Sequence, residues 1–142
     1  MNRSAIRELA FRLIYSQEIQ KEENIEEQIE LFLEANEVQD KNAIEYINDI
    51  LKGIKENNAE ILSLIEKNLK TDWKLERISK INLALLKLAI YEMLYKKVPY
   101  KVVINEAVEL AKKYGEDASS SFINGVLATV VKKNSLEEKS AE

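Results

Sequence analysis

The chain has 142 residues, 46% hydrophobic and 32% charged, enough for one soluble domain with a core of its own. It contains no cysteine and no histidine, which excludes disulfides, thiolate chemistry, a histidine-based triad and a structural zinc site. No apolar run approaches the ~18 residues of a membrane span. Charge also stands near the N-terminus where a signal peptide needs its apolar region. The expected compartment is therefore the cytoplasm, away from any membrane.

Three glycines and one proline leave little turn chemistry for a β protein, and Leu, Ile, Glu, Lys and Ala dominate over Val and Thr. The composition predicts an all-α fold. Along the chain, Ile6, Leu9, Ala10, Leu13 and Ile14 fall at helical spacing in a first helix over 5–14. A second amphipathic stretch carries Ile25, Ile29, Phe32 and Leu33, with glutamates on its other face. A third holds Ile44, Ile47, Ile50, Leu51 and Ile54, with a break expected at Asn57-Asn58, and a fourth carries Ile61, Leu62, Ile65 and Leu69. From Ile81 to Tyr95 the residues are apolar nearly all round, the signature of a buried central helix. That helix should end before Pro99.

The next helix buries Val103, Ile104, Ala107, Val108 and Ala111 up to Tyr114, and Gly115 stands where a left-handed C-terminal cap would sit. The last helix carries Phe122, Ile123, Val126, Leu127, Val130 and Val131. Asn124-Gly125 would suggest a hairpin turn, but its flanks keep helical spacing, so Gly125 is expected to let a neighbouring helix approach. These elements place one domain over 1–134 and a polar, disordered tail over 135–142.

The net charge of −4 is unevenly spread. Residues 21–45 hold two lysines against nine acids, and residues 70–101 hold eight basic side chains against three acids. Such asymmetry marks either solvated helix faces or a polyanion-binding surface. At 3.6 residues per turn, Arg3, Arg7, Phe11 and Tyr15 form one i, i+4 ridge on the first helix. Guanidinium groups neutralise phosphates and aromatic rings stack on unpaired bases; the competing reading puts Phe11 in the core and Tyr15 at its edge. Arg77, Lys80 and Lys87 would share a helix sector, unless Ser79 starts a new helix between them. Asn105 and Glu106 invite an acid–base reading, which fails for want of a paired carboxylate, histidine or metal cluster. A structural bond to neighbouring helices suits them better. Glu22-Glu23 with Glu26-Glu27 lacks the spacing of a calcium loop and reads as a solvated helix start.

Three segments resemble the NusB family. The first is Arg7-Glu8-Leu9-Ala10 with Leu13-Ile14-Tyr15. The second is Leu85-Leu86-Lys87-Leu88-Ala89-Ile90-Tyr91-Glu92, preceded by Trp73 and Arg77-Ile78. The third and most specific runs from Val98-Pro99-Tyr100-Lys101-Val102-Val103-Ile104-Asn105-Glu106-Ala107 through Glu109-Leu110-Ala111-Lys112 to Phe122-Ile123-Asn124-Gly125-Val126-Leu127. The resemblance implies two three-helix bundles packed crosswise plus an extra helix. It implies no catalysis and no cofactor. The implied role is transcription antitermination: with a NusE-type ribosomal small-subunit protein, the chain would bind single-stranded boxA RNA of nascent ribosomal transcripts and help the RNA polymerase elongation complex pass terminators. A homodimer is left open.

By position, the resemblance carries RNA contact onto Arg3, Arg7, Tyr15 and Phe122, to which the basic segment adds Arg77 and Lys80. Where relatives often carry further cations this chain has Ser4, Ala5, Ser120 and Ser121. Each lost cation should remove a phosphate contact. Two alternatives remain. The same module can precede a methyltransferase domain, which needs a glycine-rich cofactor loop that this sequence does not contain. It can also serve as a protein-interaction module whose RNA contacts have decayed.

Overall fold

A computed structural model describes residues 1–21, 23–70 and 74–134. Trp73 and the tail from Ser135 lie outside them. The described residues form α1 (Arg3–Gln20), α2 (Ile25–Ala35), α3 (Lys41–Glu56), α4 (Asn58–Lys67), α5 (Lys80–Ile90), α6 (Tyr100–Tyr114) and α7 (Ser119–Lys133). A short 3₁₀ turn, Leu75–Arg77, precedes α5, and a π-helical turn, Tyr91–Tyr95, prolongs it. No strand occurs among the described residues.

Local chemistry sets the starts. Asn2 accepts the Ala5 amide at 2.8 Å, Asn24 the Glu27 amide at 3.1 Å, and Asp40 the amides of Asn42 and Ala43 at 2.9 and 3.3 Å. Ser79 accepts the Asn82 amide at 3.1 Å. These are N-caps that satisfy otherwise unpaired amides of the first turn. Ser79 therefore opens α5, and Arg77 stands before it on the 3₁₀ turn rather than on the same helix as Lys80 and Lys87. The expected break at Asn57-Asn58 separates α3 from α4, with the Asn57 side chain donating back to the Gly53 carbonyl at 2.8 Å.

Two groups of three helices meet at the centre. Helices α1 and α2 both pack on α3, α5 packs with α6 and α7, and the contact of α1 with α5 joins the groups. Helix α4 is the extra one, touching α3, α5 and α7. This is the two-bundle organisation that the resemblance implied. Every residue from Ala84 to Ile90 is buried, so α5 is the central helix that its all-round apolar sequence predicts. One contiguous core includes Phe11, Leu13 and Ile14 of α1, Ile47 and Ile50 of α3, and Ile123, Leu127 and Val130 of α7.

Two glycine expectations are corrected. Gly115 ends α6 in extended backbone, φ −93° and ψ −176°, not in the left-handed region. A Cβ there would stand 2.5 Å from Ser119 Oγ and 2.8 Å from the Ala111 carbonyl oxygen, so the residue is kept small by the tight entry into α7. Gly125 admits no neighbouring helix: it is exposed, and a Cβ would meet nothing within 4 Å.

Candidate nucleic-acid interface

Helix α1 is clamped on three sides by side chains from distant parts of the chain. Arg7 is 4% exposed and makes a two-pronged bond to Glu92, itself 1% exposed, at 2.8 and 3.0 Å. Glu106 of α6 lies 3.5 Å from the same guanidinium and accepts the Ser4 hydroxyl at 2.6 Å. Burial by itself would lower the Arg7 pKa, but the Glu92 bonds and charge outweigh it, and the group stays firmly protonated. A charge this buried survives only because its partner is paired and hydrogen-bonded with it. In the free protein the Arg7 fork is spent on Glu92, so the guanidinium does not stand at the surface where the sequence reading expects RNA.

Next to Arg7 on α1, Glu8 accepts from Lys113 at 2.7 Å and from the Tyr114 hydroxyl. Those two bonds hold its carboxyl below the usual range. Phe11 is 1% exposed, with Tyr15 stacked on it at 6.2 Å between ring centroids and Tyr114 tilted against it at 5.0 Å. Tyr15 is half-buried, so one part of its ring faces solvent while the rest is held by Phe11. Phe122, in the first turn of α7, is likewise half-buried against the core. Both aromatics are therefore positioned by packing and still partly accessible.

The predicted cations end up apart. Arg3 is exposed at the start of α1, while Lys80, exposed at the start of α5, lines a cavity with Gln17, Glu18 and Lys21 at the other end of α1. At 1.5 Å per residue the two ends of α1 are roughly 26 Å apart. Arg77 is exposed. The basic segment 70–101 is not one patch either. Lys87 is buried in an ion pair with Glu18, and Lys96, beyond the far end of α5, pairs with Asp49 at 2.9 Å. The ridge also left out Arg12, which is exposed with its guanidinium 5.8 Å over the Phe32 ring. Its place off the i, i+4 series hid it; the signal that could have found it is its position one residue beyond the buried Phe11, on the side turned to α2.

Among the described residues no group of three or more acidic, histidine or cysteine side chains could hold a metal ion, and no helix is long and apolar enough to cross a membrane. The fold is thus a helical module of two bundles, with partly exposed aromatics on α1 and α7 and exposed cations set apart along its surface.

The model of the NusB family matches residues 4–132, and the chain belongs to that family. A transcription antitermination protein NusB of Acetivibrio thermocellus is 53% identical over 133 residues, covering 93% of this chain and 90% of the relative. That of Clostridium acetobutylicum is 47% identical, with 98% and 100% covered. Among solved structures, NusB of T. maritima superposes with a TM-score of 0.87 at 35% identity, covering 97% of this chain and 98% of the other. A chain from a crystal structure of the antitermination factors NusB and NusE with double-stranded RNA superposes with a TM-score of 0.84 at 28% identity, over 92% and 96%.

Proposed function

We propose that the protein acts in the cytoplasm as a non-catalytic transcription antitermination factor. In this reading it joins a NusE-type ribosomal protein, binds single-stranded boxA-type RNA of a nascent ribosomal transcript, and helps the RNA polymerase elongation complex pass terminators. The observation that carries the reading is the outer face of α1. The Tyr15 ring is stacked on buried Phe11 and itself half-buried, and exposed cations stand at both ends of the helix, Arg3 at one and Lys80 near the other. A span of roughly 26 Å matches a few stretched nucleotides, within the ~4–16 that single-strand-binding modules cover. Phe122 adds a second partly open ring.

The test is fluorescence anisotropy of a labelled boxA-type strand, with and without the ribosomal partner, against a scrambled strand. Because a relative was solved with double-stranded RNA, the same sequence annealed to its complement is the necessary second arm. Tighter binding with the partner is expected, with preference for the single strand. Tyr15→Ala and Phe122→Ala should each weaken it by about fivefold to a hundredfold, the worth of a base stacked on a ring. Binding that ignores both substitutions removes this face from the reading, and preference for the duplex removes the stacking mechanism. Light scattering on the same samples tells monomer from homodimer.

A further inference from the structure

Between the end of α4 and the start of α5, cations recur every three or four residues: Lys67, Lys70, Lys74, Arg77 and Lys80. All five are exposed, and among the described residues none forms an ion pair. Two more stand beside the first of them. Lys132 and Lys133 are exposed in the last turn of α7, and the Lys133 ammonium donates to the Lys67 carbonyl at 3.3 Å. The C-terminal ends of α4 and α7 therefore meet here. From that junction the cations follow the chain to Lys80, which lines the cavity at the end of α1.

Exposed lysines elsewhere on the protein find acids: Lys96 pairs with Asp49 and Lys113 with Glu8. Here they do not, although the protein is acidic overall. Helix ends explain part of the arrangement, because each C-terminus carries about half a negative charge and attracts lysines. Two such ends offset about one cation, and Glu66, Asp72 and Glu76 offset three more. Of the seven cations, about three are left without compensation. Like charges crowded on one surface repel one another, and a polyanion relieves that repulsion while its own counterions are released.

The side-chain chemistry also says how such a polyanion is read. Six of the seven cations are lysines, compact point charges that meet a phosphate and carry no information about the base. This rail suits an RNA backbone of any sequence, whereas the rings of Tyr15 and Phe122 suit unstacked bases.

We infer that the rail carries the RNA flanking the boxA-type element, gripping its phosphates without regard to sequence from Lys80 to the joined ends of α4 and α7. This rests on the RNA-binding reading above and extends the path beyond α1. Lys67 lies roughly 14 Å along α4 from Asn58, which lines the cavity with Lys80. A strand leaving α1 past Lys80 thus has a shorter way to go than along α1 itself.

Affinity is measured at several salt concentrations for a short boxA-type strand and for the same strand with a tail of about ten uridines, inside the ~4–16 nucleotides that a single-strand-binding module covers. The tail is placed at either end in turn, and an adenosine tail is the sequence control. The test variant combines Lys67→Gln, Lys70→Gln and Lys132→Gln; Lys133 is kept because it holds the Lys67 carbonyl. All three side chains are exposed, so the melting temperature should be retained. The variant with arginine at the same three positions keeps the charge. On the wild type, a tail at one end should tighten binding and steepen the log–log salt slope. The glutamine variant should lose that effect and show a slope on the tailed strand shallower by about 2, at about 0.7 for each phosphate contact. It should bind the short strand like wild type, and the arginine variant should keep the tail effect. If the tail adds nothing at either end, or the glutamine variant keeps the wild-type slope on it, the rail is a solvated surface and the RNA reading stands without it. A tail that helps only as uridine, or only as adenosine, overturns the assignment to the backbone. If the glutamine variant binds both strands like wild type but no longer binds the ribosomal partner, the rail is a protein interface instead. If the wild type binds neither strand, both readings fall.

Discussion

Gly53 and Gly115 are kept small by close neighbours and Gly125 is not, and none of the three uses a left-handed backbone. At Gly53 a Cβ would stand 2.0 Å from the Tyr91 hydroxyl, so the bare backbone of α3 lets the Tyr91 ring lie against it and reach Asp49 at 3.4 Å. Gly115 makes room for Ser119, whose hydroxyl accepts the Glu116 amide at 3.0 Å. Gly125 alone has open space around it and sits mid-helix, where glycine costs roughly 0.5–1 kcal/mol relative to alanine. Gly125→Ala should therefore stabilise the free protein by about that amount, read as a higher denaturation midpoint with unchanged slope. A destabilised variant would mean that the fold does need the gap. The sequence could not distinguish these three cases. Glycine in a helix can signal close approach or a cap, and which one holds depends on what another element brings to within about 3 Å.

Helix α1 shows the same limit one scale up. Its i, i+4 ridge of Arg3, Arg7, Phe11 and Tyr15 is real, but spacing says only that residues share a side, not which side is buried. The ridge rolls inward in the middle, where Phe11 packs under Tyr15 and Arg7 meets Glu92, 85 residues away in sequence. A buried arginine looks like any surface arginine until its acid is found, and Glu92 lay inside a segment legible only as apolar. The π-helical turn at Tyr91–Tyr95 was equally illegible, since the apolar run continues through it; there Tyr91 stacks on Tyr95 at 5.2 Å between centroids. Element existence, by contrast, was readable from the apolar spacing, and Ser79 stood out as one of two possible starts for the central helix. The pair makes a sharp prediction. Arg7→Met strands a buried carboxylate and should cost about 3–5 kcal/mol. Arg7→Met with Glu92→Leu removes both charges and should recover most of that in urea denaturation. Equal losses in single and double variants would show that the pair contributes packing rather than electrostatics.

At the scale of the whole molecule, part of the charge blocks seen in the sequence is spent in local pairs. The basic segment loses Lys87 to Glu18 and Lys96 to Asp49, and the two ends of α5 separate what remains. On α1 the Arg7 fork is buried, and Ser4 is bonded to Glu106. Near α1 and the start of α5, a polyanion would meet the exposed cations Arg3, Arg12, Arg77 and Lys80, on an acidic protein of net charge −4. Counterion release scales with the phosphates neutralised, with a log–log slope near −0.7 for each contact to a single strand. If those four cations alone meet the strand, the slope for the protein without its partner is about −3. Arg3→Ala should make the slope shallower by about 0.7, whereas Phe122→Ala should lower affinity at every salt concentration and leave the slope unchanged, since stacking releases no counterion. A slope much steeper than −3 for the free protein would mean that further cations, exposed lysines elsewhere or ones now held in internal pairs, also reach the RNA. Of the paired ones, Arg7 would then be the first to re-examine, because its release from Glu92 would have to accompany binding.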